Sequence, residues 1–136
     1  MTTQPPLDML HEAKAIIENA YCPYSNYPVA ACIKSSNGSL FSATNVENSA
    51  YNLCSCAETN AITQMVSKGE RSIASCLILV THKNVAAPCG ACRQRLNEFA
   101  HGDIPIYMCS TSGKFELQYL KDLLPYAFGP KNLEQS

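Results

Sequence analysis

Two short segments of the chain carry residue types that bind metals and move protons. Residues 56–58 read Cys-Ala-Glu, and residues 88–92 read Pro-Cys-Gly-Ala-Cys. The surrounding pattern predicts that each segment opens a helix, so that Cys89 and Cys92, three positions apart, share one helix face. The free N–H groups and the dipole at a helix start favour anions, which lowers thiol pKa values and favours thiolates.

Three thiolates, from Cys56, Cys89 and Cys92, form a ligand set suited to Zn²⁺. Three protein ligands leave the fourth tetrahedral position to water, which is typical of a catalytic zinc site, whereas four would close it. Zinc lowers the pKa of such a water towards neutrality. The carboxylate of Glu58, two residues after a ligand, is then the candidate proton carrier.

Each piece of this pattern also has a simpler interpretation. A single Cys-x-x-Cys pair can be redox-active or merely buried. Glu58 completes a capping box with Ser55, so it could do no more than start a helix. Eight cysteines could also indicate a secreted disulfide scaffold. A chain of 136 residues that is 46% hydrophobic can build a core without such cross-links, so metal binding is favoured.

Composition narrows the class of protein further. The length predicts a single domain over residues 1–136. The formal net charge of -1 gives no broad electrostatic basis for binding nucleic acid. No apolar run approaches the ~20 residues that span a bilayer, so no membrane association is expected. The first residues do not resemble a secretory signal, and a cytoplasmic location is therefore expected.

Hydrophobic periodicity predicts an alternating series of helices and strands. The predicted helices lie at about 8–20, 56–68 and 89–100, with a short one within 119–125. The predicted strands lie at about 29–35, 40–46, 76–80, 104–108 and 114–119. Asn37-Gly38 predicts a tight hairpin turn with positive φ at both residues.

This order of elements predicts an α/β fold, a three-layer α/β/α sandwich with a mixed five-stranded sheet. The first hairpin is antiparallel, and the alternation in the middle of the chain predicts a parallel segment. Chemistry is expected where strands end and helices begin. Ala57, Ala61 and Met65 should face the core from the second helix, and Leu10, Ala13 and Ile17 from the first.

Three stretches of the chain resemble cytidine deaminases of the small, all-cysteine, homotetrameric type. They are YCPYSNYPVAA (21–31), NVENSAYNLCSCAE (45–58) and PCGACRQ (88–94), and the closing LLPYAFGP (123–130) is also similar. A ligand-x-Glu segment followed by Pro-Cys-x-x-Cys is the pattern of zinc nucleobase deaminases. The resemblance is collinear, covers nearly the full length, and is specific to deaminases of free nucleosides rather than polynucleotides.

The resemblance implies a cytidine-deaminase-like fold, one Zn²⁺ per subunit and a homotetramer. The implied reaction converts cytidine and 2′-deoxycytidine to the corresponding uridines and ammonia, in pyrimidine salvage. Glu58 would take a proton from water, protonate N3 of the base and later help to protonate the departing amine.

The resemblance also assigns substrate contacts. Asn45 and Glu47 would bind the ribose hydroxyls. Tyr27 stands where the family usually has a phenylalanine near the base. Backbone groups around Ala57 and Pro88 would orient the base.

Two further residues resemble side chains that neighbouring subunits of the family contribute to each other's sites. These are Tyr51 and Phe128, so an isolated subunit would have an incomplete pocket.

The chain departs from the family at Thr59, where an arginine usually follows Cys-Ala-Glu. Three thiolates and one Zn²⁺ carry a net negative charge, and threonine brings no positive charge to offset it. Either another cation, Arg93 or Arg95, compensates, or activity is reduced. Blasticidin-type deaminases also lack this arginine, so a modified nucleoside or blasticidin-like antibiotic is an alternative substrate. A weakly active or non-catalytic zinc protein is a further alternative.

The remaining cysteines have less specific interpretations. Cys32, Cys76 and Cys109 lie in predicted strands and are expected to be small core residues. Cys54 could compete with Cys56 as a ligand, but the Cys-Ala-Glu frame favours Cys56. The three histidines fall outside the motifs and receive no role.

Overall fold

A computed structural model describes residues 4–134 and shows one five-stranded mixed sheet. The strands are β1 (Val29–Ser35), β2 (Leu40–Thr44), β3 (Ile73–Val80), β4 (Pro105–Ser110) and β5 (Phe115–Tyr119). Their order across the sheet is β2-β1-β3-β4-β5. Strands β3 and β4 run parallel, and the other three neighbouring pairs run antiparallel.

Four α-helices of the described residues accompany the sheet. They are α1 (Leu7–Ile16), α2 (Ala57–Ser67), α3 (Gly90–Phe99) and α4 (Leu120–Leu123). Short 3₁₀ segments cover Ile17–Asn19, Tyr51–Leu53 and Pro130–Leu133. The predicted order of helices and strands is confirmed, and the boundaries agree to within three residues except at α1. There the α-helix ends before the predicted boundary, and the 3₁₀ segment covers most of the remaining predicted span.

Helices cover both faces of the sheet, which confirms the predicted three-layer arrangement. On one face, α1 packs against side chains that alternate along β1 and β3, including Cys32, Leu77 and Leu79. On the other face, α2 and α3 pack against the intervening residues, including Ile33 and Ile78. Because successive strand residues point to opposite faces, each strand contributes to both cores.

The core-facing side of α2 is as predicted, and that of α1 is largely so. Ala57, Ala61 and Met65 are fully buried. Ala13 and Ile17 are buried against the sheet as predicted, and Leu10 is partly buried beside them. Met9, four positions before Ala13, is fully buried as well and was not predicted to be.

The hairpin between β1 and β2 is confirmed, but its predicted turn geometry is wrong. Gly38 has a φ of 94°, and it donates its N–H to the carbonyl of Ser35 at 2.9 Å. Asn37 is not among the residues with positive φ in the described chain. Its side-chain Oδ1 accepts the N–H of Ser39 at 3.0 Å, which forms an Asx turn. This turn does not require a positive φ at Asn37.

Side chains of α2 fix this helix to the edge strand β2. Asn60 Nδ2 donates to the carbonyl of Thr44 at 2.8 Å, and Gln64 Nε2 donates to the carbonyl of Ser42 at 3.1 Å. An edge strand has unpaired backbone groups, and these two bonds satisfy part of them. They also hold the start of α2 close to the end of β2, where residues 45–58 begin.

None of the helices within residues 4–134 has the length and apolar character needed to cross a bilayer. All eight cysteines lie in this part of the chain and are free thiols, so the disulfide-scaffold alternative is wrong.

We expect Leu77→Ala to test the α1 side of the core. Leu77 is 0% exposed and packs under α1, so removing its side chain should lower the free energy of unfolding by about 2–5 kcal/mol. Leu7→Ala is the matched control, because Leu7 is 81% exposed and its loss should change stability by less than about 0.5 kcal/mol. Denaturant unfolding of both variants measures the difference. Equal losses would contradict the packing described here.

Candidate active site

Three sulfur atoms meet where α2 and α3 begin. Cys56 immediately precedes α2, Cys89 immediately precedes α3, and Cys92 lies in the first turn of α3. Their Sγ atoms all lie within 4.8 Å of one another, and those of Cys56 and Cys89 are 3.8 Å apart. Tetrahedral zinc with Zn–S bonds of ~2.3 Å places its sulfur ligands about 3.7–3.8 Å apart. The donor type and the spacing therefore both fit zinc.

The alternative role of Glu58 in a capping box with Ser55 is wrong. The residue that precedes α2 is Cys56, and no side-chain hydrogen bond of the described residues caps that helix. The first N–H groups of α2 are thus not satisfied by a Ser55 hydroxyl. This leaves the helix start free to stabilise negative charge at the sulfur cluster.

The pKa values of Cys56 and Cys92 are shifted in opposite directions. Hydrogen bonding from Cys92 lowers the pKa of Cys56 to about 6, with further lowering from Cys89 and from the charge of Arg95, although partial burial opposes it. The same bond, made with Cys92 as the donor, raises the pKa of Cys92. One thiolate therefore forms readily before any metal binds, which prepares the cluster for a cation.

Glu58 is the one carboxyl group in the buried core of the described chain, at 4% exposed. Burial raises the pKa of Glu58, and the negative charge of Cys56 adds to that increase. A carboxyl whose pKa is raised towards neutrality can both accept and release a proton in the working range of an enzyme. The environment of Glu58 therefore suits proton transfer.

A cavity of about 240 Å³ opens onto the sulfur cluster. Its lining includes seven residues with roles predicted from sequence: Tyr27, Asn45, Glu47, Cys56, Ala57, Glu58 and Cys89. Cys92 is buried rather than part of the lining in the described chain. The cavity lies beyond the ends of β2 and β3 and at the starts of α2 and α3, where chemistry was expected.

Asn45 and Glu47 hold the loop that precedes β1. Asn45 Oδ1 accepts the N–H of Val29 at 3.0 Å, and its Nδ2 donates to the carbonyl of Tyr27 at 3.0 Å. Glu47 Oε1 accepts two backbone N–H groups, those of Tyr24 at 3.0 Å and Ser25 at 3.1 Å. This use of the two side chains was not evident from sequence, because their hydrogen-bond partners lie 16 to 23 positions away.

The Ser25 hydroxyl completes this arrangement by donating to Glu47 Oε2 at 2.5 Å. That bond is the main reason why the pKa of Glu47 is lowered, and the backbone donors contribute as well. Glu47 is therefore ionised at neutral pH. A carboxylate has about four acceptor positions, so it can still accept a hydrogen bond from a ligand hydroxyl.

His82 supports the aromatic side of the cavity, a role that sequence analysis did not assign. Its ring stacks on that of Tyr27, with centroids 6.1 Å apart and an interplanar angle of 28°. Its Nδ1 accepts the N–H of Asn84 at 3.1 Å, which fixes the ring orientation. A histidine just after a buried strand was the available hint, but its contact with Tyr27 depends on the tertiary fold.

The other residues with predicted substrate roles lie outside the cavity lining in the described chain. Pro88 is fully buried. Tyr51 is 74% exposed, and its ring meets that of Tyr24 edge-on at 5.9 Å. Phe128 is 57% exposed, and its carbonyl accepts hydrogen bonds from Gln94 and Asn97. Tyr51 and Phe128 thus lie on the surface of the protein.

Four of the five remaining cysteines separate into two groups. Cys32, Cys76 and Cys109 are buried, as predicted, and burial raises the pKa of each thiol. Cys54 is exposed and lines the cavity, but it is not a member of the three-sulfur cluster. Its Sγ instead accepts the N–H of Asn48 at 3.3 Å. This contact turns Cys54 towards its own loop.

An α/β/α sandwich with three converging thiols, an open cavity and a buried carboxyl defines a zinc-dependent hydrolase of the deaminase class. Residues 4–108 match the family model described as the cytidine and deoxycytidylate deaminase zinc-binding region. The chain belongs to this family.

Individual relatives agree with the assignment. The chain is 38% identical over 125 residues to a cytidine deaminase of Sporosarcina psychrophila, covering 92% of each chain. It is 33% identical over 125 residues to one from Halalkalibacterium halodurans, covering 92% of this chain and 95% of the relative. The crystal structure of cytidine deaminase from Burkholderia pseudomallei superposes with a TM-score of 0.86 at 35% identity, covering 92% of this chain and all of that one.

Two cysteines that lie two positions apart provide a matched test of the metal cluster. We expect Cys56→Ser to lose tightly bound zinc, because it removes one of three converging sulfurs. Cys54→Ser should keep it, since Cys54 lies outside the cluster. Elemental analysis of the purified proteins gives the zinc content of each. Loss of zinc from the Cys54 variant alone would reverse the assignment.

Proposed function

We propose that this protein deaminates cytidine and 2′-deoxycytidine hydrolytically, releasing ammonia and the corresponding uridine. The observation that carries the proposal is the buried carboxyl of Glu58 beside three sulfurs at the end of one cavity. Cys56, Cys89 and Cys92 hold one Zn²⁺ per subunit. When bound, this ion supplies acidified water at neutral pH.

The chain's own groups then carry the protons. Glu58 accepts a proton as water attacks C4 of the base, delivers it to N3, and assists protonation of the amine that leaves as ammonia. Its raised pKa favours this shuttle, since a proton must be taken up and given back within one turnover.

The cavity walls supply substrate contacts. Asn45 and Glu47 bind the ribose hydroxyls. They use the acceptor positions that are not occupied by hydrogen bonds from the loop before β1. Tyr27 presents its ring to the base. Backbone groups near Ala57 and Pro88 orient the base.

Cytidine is favoured over a modified nucleoside or antibiotic. The relatives described above are named cytidine deaminases, and the similarity extends over 92% of the chain. A non-catalytic zinc protein would not require a buried carboxyl that faces the metal cavity, because an uncompensated buried acid is costly. The experiment is to incubate the zinc-loaded protein with cytidine and blasticidin S in parallel and to measure ammonia release. Turnover of blasticidin S alone would overturn the proposed substrate.

Glu58→Gln tests the proton shuttle. The amide keeps the size of the side chain but cannot accept a proton, so turnover of cytidine should fall by about 10²–10⁴-fold with zinc still bound. Glu116→Gln is the matched control, because Glu116 is exposed on β5 and its replacement should leave the rate unchanged. A Glu58 variant with full turnover would show that another group moves the proton.

The biological setting is part of the proposal. We propose a single domain over residues 1–136, a cytoplasmic location, a role in pyrimidine salvage and a homotetramer. The outward aromatic rings of Tyr51 and Phe128 support the last point, since exposed aromatic residues at the edge of a site are typical of an interface. In the tetramer they complete the sites of neighbouring subunits.

Subunit complementation tests this arrangement. Phe128→Ala should be weakly active because a neighbour's site loses a wall, and Glu58→Gln should be inactive because it lacks its own proton carrier. Co-expressed, the two variants form mixed tetramers in which some sites have both residues. The mixture should therefore exceed the activity of either variant alone, and light scattering should show four subunits. A monomeric protein, or no gain on mixing, would contradict the shared site.

A further inference from the structure

The aromatic wall of the substrate cavity is held differently at its backbone and at its ring. The N–H of Tyr27 donates to the Ser25 hydroxyl at 3.1 Å, and its carbonyl accepts a hydrogen bond from Asn45 Nδ2 at 3.0 Å. These bonds fix the chain at Tyr27 but not the rotation of its side chain, which is 37% exposed. Within residues 4–134, the ring that stacks on Tyr27 is that of His82. The orientation of the Tyr27 ring towards the cavity therefore depends on where His82 lies.

His82 itself lies outside the cavity, on the loop of residues 81–88 that joins β3 to the start of α3. It is exposed and is not part of the cavity lining in the described chain, so its contact with the site is through the Tyr27 ring. The centroid separation of 6.1 Å is within the range in which aromatic rings attract one another. A Tyr27 ring that rotates away loses this contact, so the stack favours one orientation of the side chain.

The turn between β4 and β5 holds this loop in place. Ser110, the last residue of β4, is buried, and its hydroxyl donates to the carbonyl of His82 at 2.5 Å. The Ser112 hydroxyl donates to the carbonyl of Lys83 at 3.0 Å. Two hydroxyls of the turn thus bind the carbonyls of two successive residues of the loop. The position of His82 is therefore set by a strand end that lies outside the substrate cavity.

We propose that Ser110 and His82 are positioning residues for the base of the substrate: Ser110 fixes the loop of residues 81–88, and the His82 ring holds the Tyr27 ring in its orientation at the cavity wall. The contacts run without a break from β4, through the loop, to the cavity lining. The inference rests on the proposed deaminase function, because that function assigns the base to the Tyr27 side of the cavity.

Steady-state kinetics with cytidine test the role of His82. His82→Leu should raise KM by about 2- to 10-fold, the range expected for the loss of an aromatic pair. Its kcat should stay constant, because Tyr27 contacts the base equally in the ground state and in the transition state. His82→Phe keeps a ring on the loop and should restore the KM of wild type. His11→Leu is the matched control, because His11 is exposed on α1, which covers the opposite face of the sheet from α2 and α3.

A double-variant cycle shows whether the effect passes through Tyr27. Tyr27→Leu should raise KM, and adding His82→Leu should raise it no further, since the ring that His82 holds is then absent. Ser110→Ala should raise KM by a factor of about 2–3, a modest effect expected for one neutral hydrogen bond that acts through the loop. Ser75→Ala is its control, because Ser75 is also buried but donates to Met9 Sδ under α1, so its KM should be that of wild type.

Binding of uridine, the proposed product, gives an equilibrium measure of the same contact. The dissociation constant of uridine, from titration calorimetry, should rise in His82→Leu by the same factor as KM, because substrate and product present the same face of the base to Tyr27. Zinc content and the circular dichroism spectrum should match wild type in every variant, since none of these residues belongs to the sulfur cluster.

The outcomes separate this inference from the proposed function. An unchanged KM in His82→Leu, in a protein that deaminates cytidine, overturns the inference and leaves the function standing. Additive effects of His82→Leu and Tyr27→Leu, or a wild-type KM in Ser110→Ala, also overturn it. If His82→Leu does not fold, the comparison of Ser110→Ala with Ser75→Ala decides. A zinc-loaded wild-type protein without cytidine turnover overturns the proposed function and the inference together.

Discussion

The structure depends on the meeting of three sulfur atoms from two helices that start at the same edge of the sheet. Cys56 and Cys89 each precede a helix, and their Sγ atoms are 3.8 Å apart although 33 positions separate them in sequence. Atoms so distant in sequence keep this spacing only if both helix starts are held in fixed positions. The support is the sheet with α2 and α3 packed on one face, and bonds from Asn60 and Gln64 to β2 anchor α2.

The environment of Glu58 follows from the same arrangement. It is the second residue of α2, two positions after Cys56, and it lines the cavity although its side chain is buried. Burial raises the pKa of this carboxyl, while the hydrogen bonds from Ser25 and the backbone lower the pKa of Glu47, which lines the same cavity. Two carboxyl groups in one cavity are thus suited to different tasks, one to proton transfer and the other to accepting hydrogen bonds.

Loop anchoring and the proposed substrate binding use the same residues. Asn45 and Glu47 hold the loop that carries Tyr27, and His82 stacks behind the Tyr27 ring. In the proposed complex, a ribose bound to Asn45 and Glu47 is therefore placed at a defined distance from the aromatic wall. The rate of the proposed reaction is sensitive to small displacements of these residues, because the reacting groups must be held to a fraction of an ångström.

The α/β class and the order of elements could be predicted from the sequence alone, because hydrophobic periodicity is a local property. The grouping of Cys-Ala-Glu with Pro-Cys-Gly-Ala-Cys came from the resemblance to zinc deaminases. The sequence favoured Cys56 over Cys54 as the ligand, and the cluster of Cys56 with Cys89 and Cys92 agrees. It mispredicted the turn at Asn37 and did not identify the burial of Met9 or the stacking of His82 on Tyr27. These features depend on the tertiary fold, because each is set by contacts with residues distant in sequence or by the exact backbone path of a turn.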